Sequence, residues 1–253
     1  MLKSLCIAFA TYSRLPVPRV DWNEKNLRLA ICFFPLIGAV IGALEYLWFW
    51  LAGLLGCADV LRGAIAAAIP LAVTGGIHAD GFCDTVDALS SHADREKKLE
   101  ILKDSRCGAF AVIFFGLWLM LWFAGWMTVA SRASILCAAL GFVVSRALSG
   151  LALNHWPQAR KKGMLRTVAD AGNRAAITVS MIVYLLLACA GLLLVDLRRG
   201  AAVIAVNALA FLWYRLTSMR QFGGVTGDLA GCFVTAAELT SVGILALTEG
   251  VFL

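Results

Sequence analysis

The chain has 253 residues, 61% of them hydrophobic and 15% charged, with a formal net charge of +6 and a mean hydropathy of +0.83. Soluble domains carry about 45–50% apolar and about 25% charged residues, so the composition excludes an ordinary soluble globule and points to an integral membrane protein. The positive charge then reports loop topology rather than nucleic-acid binding, and the length accommodates six to eight spans at about 20 residues each.

Residues 3–12 are apolar but too short to cross a bilayer. They read as an interfacial or re-entrant helix stopped by Pro16 and Pro18. With no small-residue cleavage site after them, a cleaved signal is not expected. Seven spans follow, at about 28–55, 61–80, 108–130, 133–153, 175–196, 200–217 and 230–251, all helical because only helices or closed barrels satisfy backbone polar groups in lipid. In the first span, Pro35, Gly38 and Gly42 offer a kink or a close helix approach. The spans at 175–196 and 200–217 are short and joined by a tight turn near Arg198–Gly200. Eight single cysteines without a CxxC pair indicate neither a zinc site nor a disulfide framework.

Most loop Lys and Arg fall before the first span, between the second and third, between the fourth and fifth, and between the sixth and seventh. They include Arg14, Arg19, Lys25 and Arg28, then Arg95, Lys97, Lys98, Lys103 and Arg106, then Arg160, Lys161, Lys162, Arg166 and Arg174, then Arg220. The opposite loops hold little beyond Arg62, Arg132, Arg198 and Arg199. This asymmetry predicts a cytoplasmic N-terminus and an outside C-terminus.

The residues suited to chemistry gather on the same basic side. Asp80, Asp84 and Asp87 follow the second apolar run directly, and offsets of four and three place them on one helical face. Like charges on one face repel unless a cation neutralises them, which predicts a divalent metal site at a membrane surface. Magnesium takes oxygen ligands and leaves positions for water and phosphate. Gly81 would let a substrate approach the backbone. In the following KKLEILKDSRCG segment, Asp104 would complete the metal shell, with Lys103 and Arg106 as phosphate clamps. The turn Gly223–Gly231 reads either as a phosphate-binding loop or as a helix cap, with Asp228 as metal ligand, general base or N-terminal acid. Glu238 lies inside a span and is a functional candidate on that ground alone. Arg14 holds phosphate or anchors at headgroups. Arg146 is expected to snorkel to the cytoplasmic face, His78 to support the acids indirectly, and the tryptophans to serve as interface anchors or core.

The TGGIHADGFCDTVDAL and DREKKLEILKDSRCGAFAV runs, with the N-terminal SRLPVP and the late GGVTGDLAG…EL, together resemble the cobalamin synthase (adenosylcobinamide-GDP ribazoletransferase) family over nearly the whole chain. Asp80, Gly81, Asp84 and Asp87 match its acidic motif; Lys103, Asp104, Ser105, Arg106 and Gly108 its second segment; Gly224, Thr226, Gly227, Asp228 and Glu238 its last. Ala79, Ala88 and Lys161 depart from the pattern, while Arg160 and Gly163 keep to it. The resemblance implies a single all-α polytopic membrane domain over 1–253, distantly similar to CDP-alcohol phosphotransferases, with a cytoplasmic active-site segment at 81–107. It implies a Mg²⁺-dependent transferase of the bacterial inner membrane that joins adenosylcobinamide-GDP to α-ribazole or its 5′-phosphate and releases GMP. Mapped onto this chain, the metal ligands are Asp80, Asp84, Asp87 and Asp104. Arg14, Lys103, Arg106, Arg160, Gly224 and Gly227 bind phosphate or substrate, and Asp84 and Asp228 are catalytic. The bilayer is the surrounding partner and a homo-oligomer is compatible. A lipid-directed CDP-alcohol phosphotransferase and a divalent-cation transporter are the alternatives.

Overall fold

The structure, a computed structural model, describes residues 1–104, 106–160 and 171–250. Long apolar runs fold as helices for the reason given above, and the extended pairing among the described residues is a lone parallel bridge between Gln158 and Val225. In chain order the helices are α1 (Leu2–Tyr12), α2 (Glu24–Leu27), α3 (Phe34–Leu55), α4 (Asp59–Thr74), α5 (Ile77–Ser90), α6 (Arg95–Ile101), α7 (Ala109–Thr128), α8 (Arg132–His155), α9 (Arg174–Val195), α10 (Leu197–Thr217) and α11 (Gly227–Thr248). Short helical turns at Ile31–Phe33 and Ser218–Phe222 lead into α3 and extend α10.

Among the described residues, six helical stretches are long and apolar enough to cross a membrane: Glu24–Leu55, α7, α8, α9, Leu197–Phe222 and α11. The bent pair α4–α5 brings the number to seven when it is counted as one span. The expected span at 61–80 stops at Thr74, and α5 leaves at 91° to α4. Gly75 and Gly76 make the break, with φ of +65° and +79°, a region that glycine enters without steric cost. At 1.5 Å per residue the 16 residues of α4 reach about 24 Å, short of the roughly 30 Å hydrocarbon core. The Gly75-Gly76 dipeptide was the available signal for this break.

The helices sort by what covers them. α8 and α11 are mostly buried, whereas α7, α9 and α10 turn a broad apolar face outward, with Met120, Leu186, Leu187, Leu194 and Leu209 exposed. Such a belt fits lipid. Inside, Trp118 and Trp122 stack at 5.4 Å, and Trp126 closes edge-on against Trp122 at 5.5 Å. These three are core residues rather than interface anchors. α3 lies against α8 through its glycines: a Cβ on Gly42 would sit 2.7 Å from the Ala139 carbonyl oxygen, and one on Gly38 would strike the Phe142 carbonyl. The α9–α10 turn falls at Asp196, slightly ahead of the expected position. Its carboxylate accepts the Arg199 N–H at 2.8 Å, which holds the group below the usual carboxylate range.

Arg146 does not snorkel. It is fully buried, and its Nη1 pairs with Glu238 Oε1 across α8 and α11. Glu45 on α3 is also fully buried. The cost of desolvating a charge explains the pairing, and Glu238 thereby acquires a partner inside the bundle rather than a place among the acids of α5.

Candidate active site

The ends of α1 and α4, the whole of α5 and α6, and the starts of α7 and α11 meet at one end of the bundle. α5 is held there by small residues. A Cβ on Gly81 would lie 2.7 Å from the Asp228 carbonyl oxygen, and one on Gly231 would lie 3.2 Å from the His78 backbone. Small residues let helix backbones approach closely, so Gly81 serves the α5–α11 contact rather than a substrate. Thr85 and Ala88 continue the buried face. The opposite face presents the acids: Asp80 is exposed, and Asp84 and Asp87 are half-buried.

The three acids have different surroundings. Asp87 accepts two backbone N–H groups at the start of α7, from Gly108 at 2.6 Å and Ala111 at 2.9 Å. Asp80 and Asp84 have no hydrogen-bond or ion-pair partner among the described residues. Asp84 lies within electrostatic reach of Asp80, Asp228 and Asp87, and of Arg160 as the opposing charge. No group of three metal-binding side chains closes into a cluster among the described residues. The four-acid shell expected from the sequence is therefore not assembled among the described residues, and Asp80 and Asp84 are the carboxylates left without partners.

Asp228 stands in the first turn of α11, where the helix dipole favours an acid. Its Oδ2 receives Arg160 Nη1 at 3.2 Å and the Thr226 hydroxyl at 3.3 Å. Arg160 also donates to the Leu99 carbonyl at 3.3 Å, so it bridges α6 and α11. The bridge is prepared by the chain before it. Val225 donates to the Pro157 carbonyl at 2.8 Å and Ala159 to the Val225 carbonyl at 2.9 Å. Gly224 is packed against this pairing, a Cβ there lying 2.7 Å from Ala159 N, and Thr226 caps α11 through Leu229 N at 3.2 Å. The glycine-rich turn therefore acts as a cap and a backbone clasp. Around Gly227 the space is open.

Asp104 and Arg106 are turned to each other. Arg106 donates to Asp104 at 2.7 Å through Nη2 and 2.9 Å through Nε, and the side-chain hydrogen bond from Arg106 pulls the Asp104 carboxyl down to about 2. Asp104 is thus taken up by Arg106, and both line an open hollow with Lys97, Glu100 and Lys103. Ser105, and the Lys161, Lys162, Gly163 and Arg166 assignments, lie outside the described residues.

Arg14 sits on the other flank of α5. Its N–H is tied to the Val73 carbonyl at 2.7 Å, and its side chain lies over Gly75, where a Cβ would collide with it. A cleft of ≈ 600 Å³ opens beside it, lined by Thr11, Ser13, Arg14, Thr74, Asp80 and Phe115 among others. The hydroxyls of Thr11, Ser13 and Thr74 were not legible as site residues, because only the docking of α1 onto the end of α4 brings them together.

The fold and this site define a polytopic helical membrane protein with unpaired carboxylates flanked by arginines at one end of the bundle. The comparisons identify the class further. The cobalamin-5-phosphate synthase family matches residues 4–246, and the chain belongs to that family. It is 43% identical over 252 residues to an adenosylcobinamide-GDP ribazoletransferase of Lachnoclostridium phytofermentans, covering 100% of this chain and 96% of the relative. It is 29% identical over 247 residues to the protein of that name from Clostridium perfringens strain 13, covering 97% and 98%. With one from Pseudomonas syringae pv. syringae it shares 36% over 238 residues, covering 89% and 90%. No solved structure matches the chain.

Proposed function

We propose that the protein is an adenosylcobinamide-GDP ribazoletransferase of the cytoplasmic membrane, with its acid-bearing end facing the cytoplasm. The observation that carries this is the pair Asp80 and Asp84, unpaired among the described residues and flanked by Asp228–Arg160 on one side and Arg14 on the other. Unpaired acids beside Arg160 suit a diphosphate substrate carrying a divalent cation. Membership of the family supports the substrates: adenosylcobinamide-GDP as donor and α-ribazole or its 5′-phosphate as acceptor.

In the proposed reaction a ribazole hydroxyl oxygen forms a bond to the cobinamide-linked phosphorus. The P–O bond to the second phosphate breaks, and GMP leaves with the bridging oxygen and its electron pair. Transfers of this kind depend on positioning and on neutralising charge over the phosphoryl oxygens. Asp80 and Asp84 would hold Mg²⁺, which supplies charge neutralisation on the diphosphate. Asp228 is oriented to receive the hydroxyl proton: its Oδ2 is fixed by Arg160 and Thr226, leaving Oδ1 without a partner among the described residues. Arg160, braced by Leu99 and Asp228, presents positive charge to the phosphates. Nothing in the comparisons favours a lipid phosphotransferase or a cation transporter.

The test is GMP release by the purified protein supplied with adenosylcobinamide-GDP, α-ribazole and Mg²⁺. Asp84→Asn is expected to lose on the order of a hundredfold or more in rate, the scale seen when a charge-stabilising group is removed from an active site, while its thermal unfolding is unchanged. Full activity in EDTA, or normal turnover by that variant, would overturn the metal-assisted reading.

A further inference from the structure

The cleft beside Arg14 is not explained by the diphosphate chemistry alone. It is bounded by the end of α1, the Gly75–Gly76 break and the second turn of α7, with Arg14 at one wall and Asp80 at another. A cleft of ≈ 600 Å³ lies in the range of small-ligand sites, about 300–1,000 Å³. It is too small for a corrinoid and suited to a nucleoside monophosphate.

Its polar groups are specific in kind. Thr11, Ser13 and Thr74 each donate their hydroxyl proton to a helix carbonyl four residues back, at 2.7 Å, so they offer a ligand only acceptor lone pairs. The Arg14 guanidinium has no ion-pair partner among the described residues, and its backbone is fixed by the Val73 carbonyl. One cationic fork thus stands over a wall whose apolar part includes Phe115, Ala10 and Ala79. The apolar part of that wall gives a weakly polar bicyclic base a surface to lie on. Asp80 brings the far end of the cleft to the acids, where a reacting hydroxyl has to arrive.

Resting on the transferase reading above, we infer that this cleft is the acceptor subsite, and that Arg14 binds the non-reacting phosphate of a phosphorylated ribazole, with the base along Phe115. Arg14 is then the residue that discriminates phosphorylated from unphosphorylated acceptor. A phosphate at this position has a second source, the headgroup of an anionic lipid, and the experiment separates the two.

Initial rates of GMP release are measured at saturating adenosylcobinamide-GDP with α-ribazole and with α-ribazole 5′-phosphate, for wild type, Arg14→Gln and Arg14→Lys in nanodiscs of neutral lipid. A charge-assisted fork to phosphate converts to roughly a ten- to hundredfold effect. Arg14→Gln should raise KM for the phosphorylated acceptor by that factor, leave KM for α-ribazole within about twofold and leave the donor KM unchanged, with partial recovery in Arg14→Lys. Phe115→Ala should raise KM for both acceptors alike. An equal rise for both acceptors in Arg14→Gln, or a rise in donor KM, overturns the assignment. So does an Arg14 effect that appears only when anionic lipid is added, which assigns the arginine to the headgroup. The wild-type enzyme gives a check that needs no variant: ribose 5-phosphate should compete with the phosphorylated acceptor and not with the donor, and competition with the donor refutes the subsite. Absence of GMP release from wild type with either acceptor refutes the transferase reading itself, and the subsite with it.

Discussion

Asp87 shows how one carboxylate of a like-charged set is spent on architecture. Gly108 begins α7 with no side chain to cap it, and the first N–H groups of a helix need acceptors. Asp87 supplies both oxygens from another helix, Oδ2 to Gly108 N and Oδ1 to Ala111 N, as an N-cap residue and its partner three positions on would do within one chain segment. A Cβ at 108 would stand 2.6 Å from Asp87 Oδ1, so any larger residue there displaces the capping carboxylate. Removing both bonds in Asp87→Ala should cost about 2–3 kcal/mol, since hydrogen bonds to charged groups contribute about 1.5–3 kcal/mol and lost caps about 1 kcal/mol. Asp87→Asn, which keeps an acceptor oxygen, should lose less. Thermal unfolding in detergent reads both. The same Asn variant separates the capping task from metal binding: GMP release within a few-fold of wild type leaves Asp87 as a cap, whereas a loss as deep as that of Asp84→Asn makes it a ligand as well. Spacing alone could not distinguish the three acids, because 80, 84 and 87 share a helical face and only the start of α7, some twenty residues away, separates their roles.

At the scale of the element, small residues decide where helices touch, and this was partly legible. Gly38 and Gly42 advertised a close approach, and α3 meets α8 at both. Gly81 read as room for a substrate, yet its neighbour is the α11 backbone; a single glycine does not say what fills the space beside it. The break after Thr74 was missed because apolar character runs through it, although two adjacent glycines announced it. Arg146 was misplaced because its partner Glu238 lies 92 residues away, beyond any local pattern. The glycine contact is testable. Gly42→Leu forces backbone displacement against Ala139, and overpacking typically costs about 1–3 kcal/mol, so its unfolding midpoint should fall clearly below wild type. Gly53→Leu, on the same helix with nothing within 4 Å of its Cβ, should leave the midpoint unchanged. Equal behaviour of the two would refute the α3–α8 packing.

At the scale of the whole molecule, charge and chemistry are segregated to the same end. The acids of α5, Asp228, Arg14 and Arg160 converge where the basic loops lie, while the far end carries Arg62, Arg132, Arg198 and Arg199. The far end is fastened locally: Glu249 accepts the Ser131 N–H at 2.6 Å, and Arg62 pairs with Asp59 at 2.7 Å. Lys and Arg near span ends are retained on the cytoplasmic side, so the proposed cytoplasmic placement of the acids rests on this same asymmetry. Two cysteines report on this directly. Cys107 is exposed beside Arg106 at the acid end, and Cys57 lies between α3 and α4 at the other. In variants retaining one cysteine each, a membrane-impermeant maleimide should label Cys107 in inside-out vesicles and Cys57 in right-side-out vesicles or cells. The reverse pattern would place the acids outside and break the link between basic loops and nucleotide chemistry. Labelling of both from one side would mean that an odd number of crossings does not separate α3's far end from α7's start, and the broken α4–α5 pair would then no longer count as the passage between them.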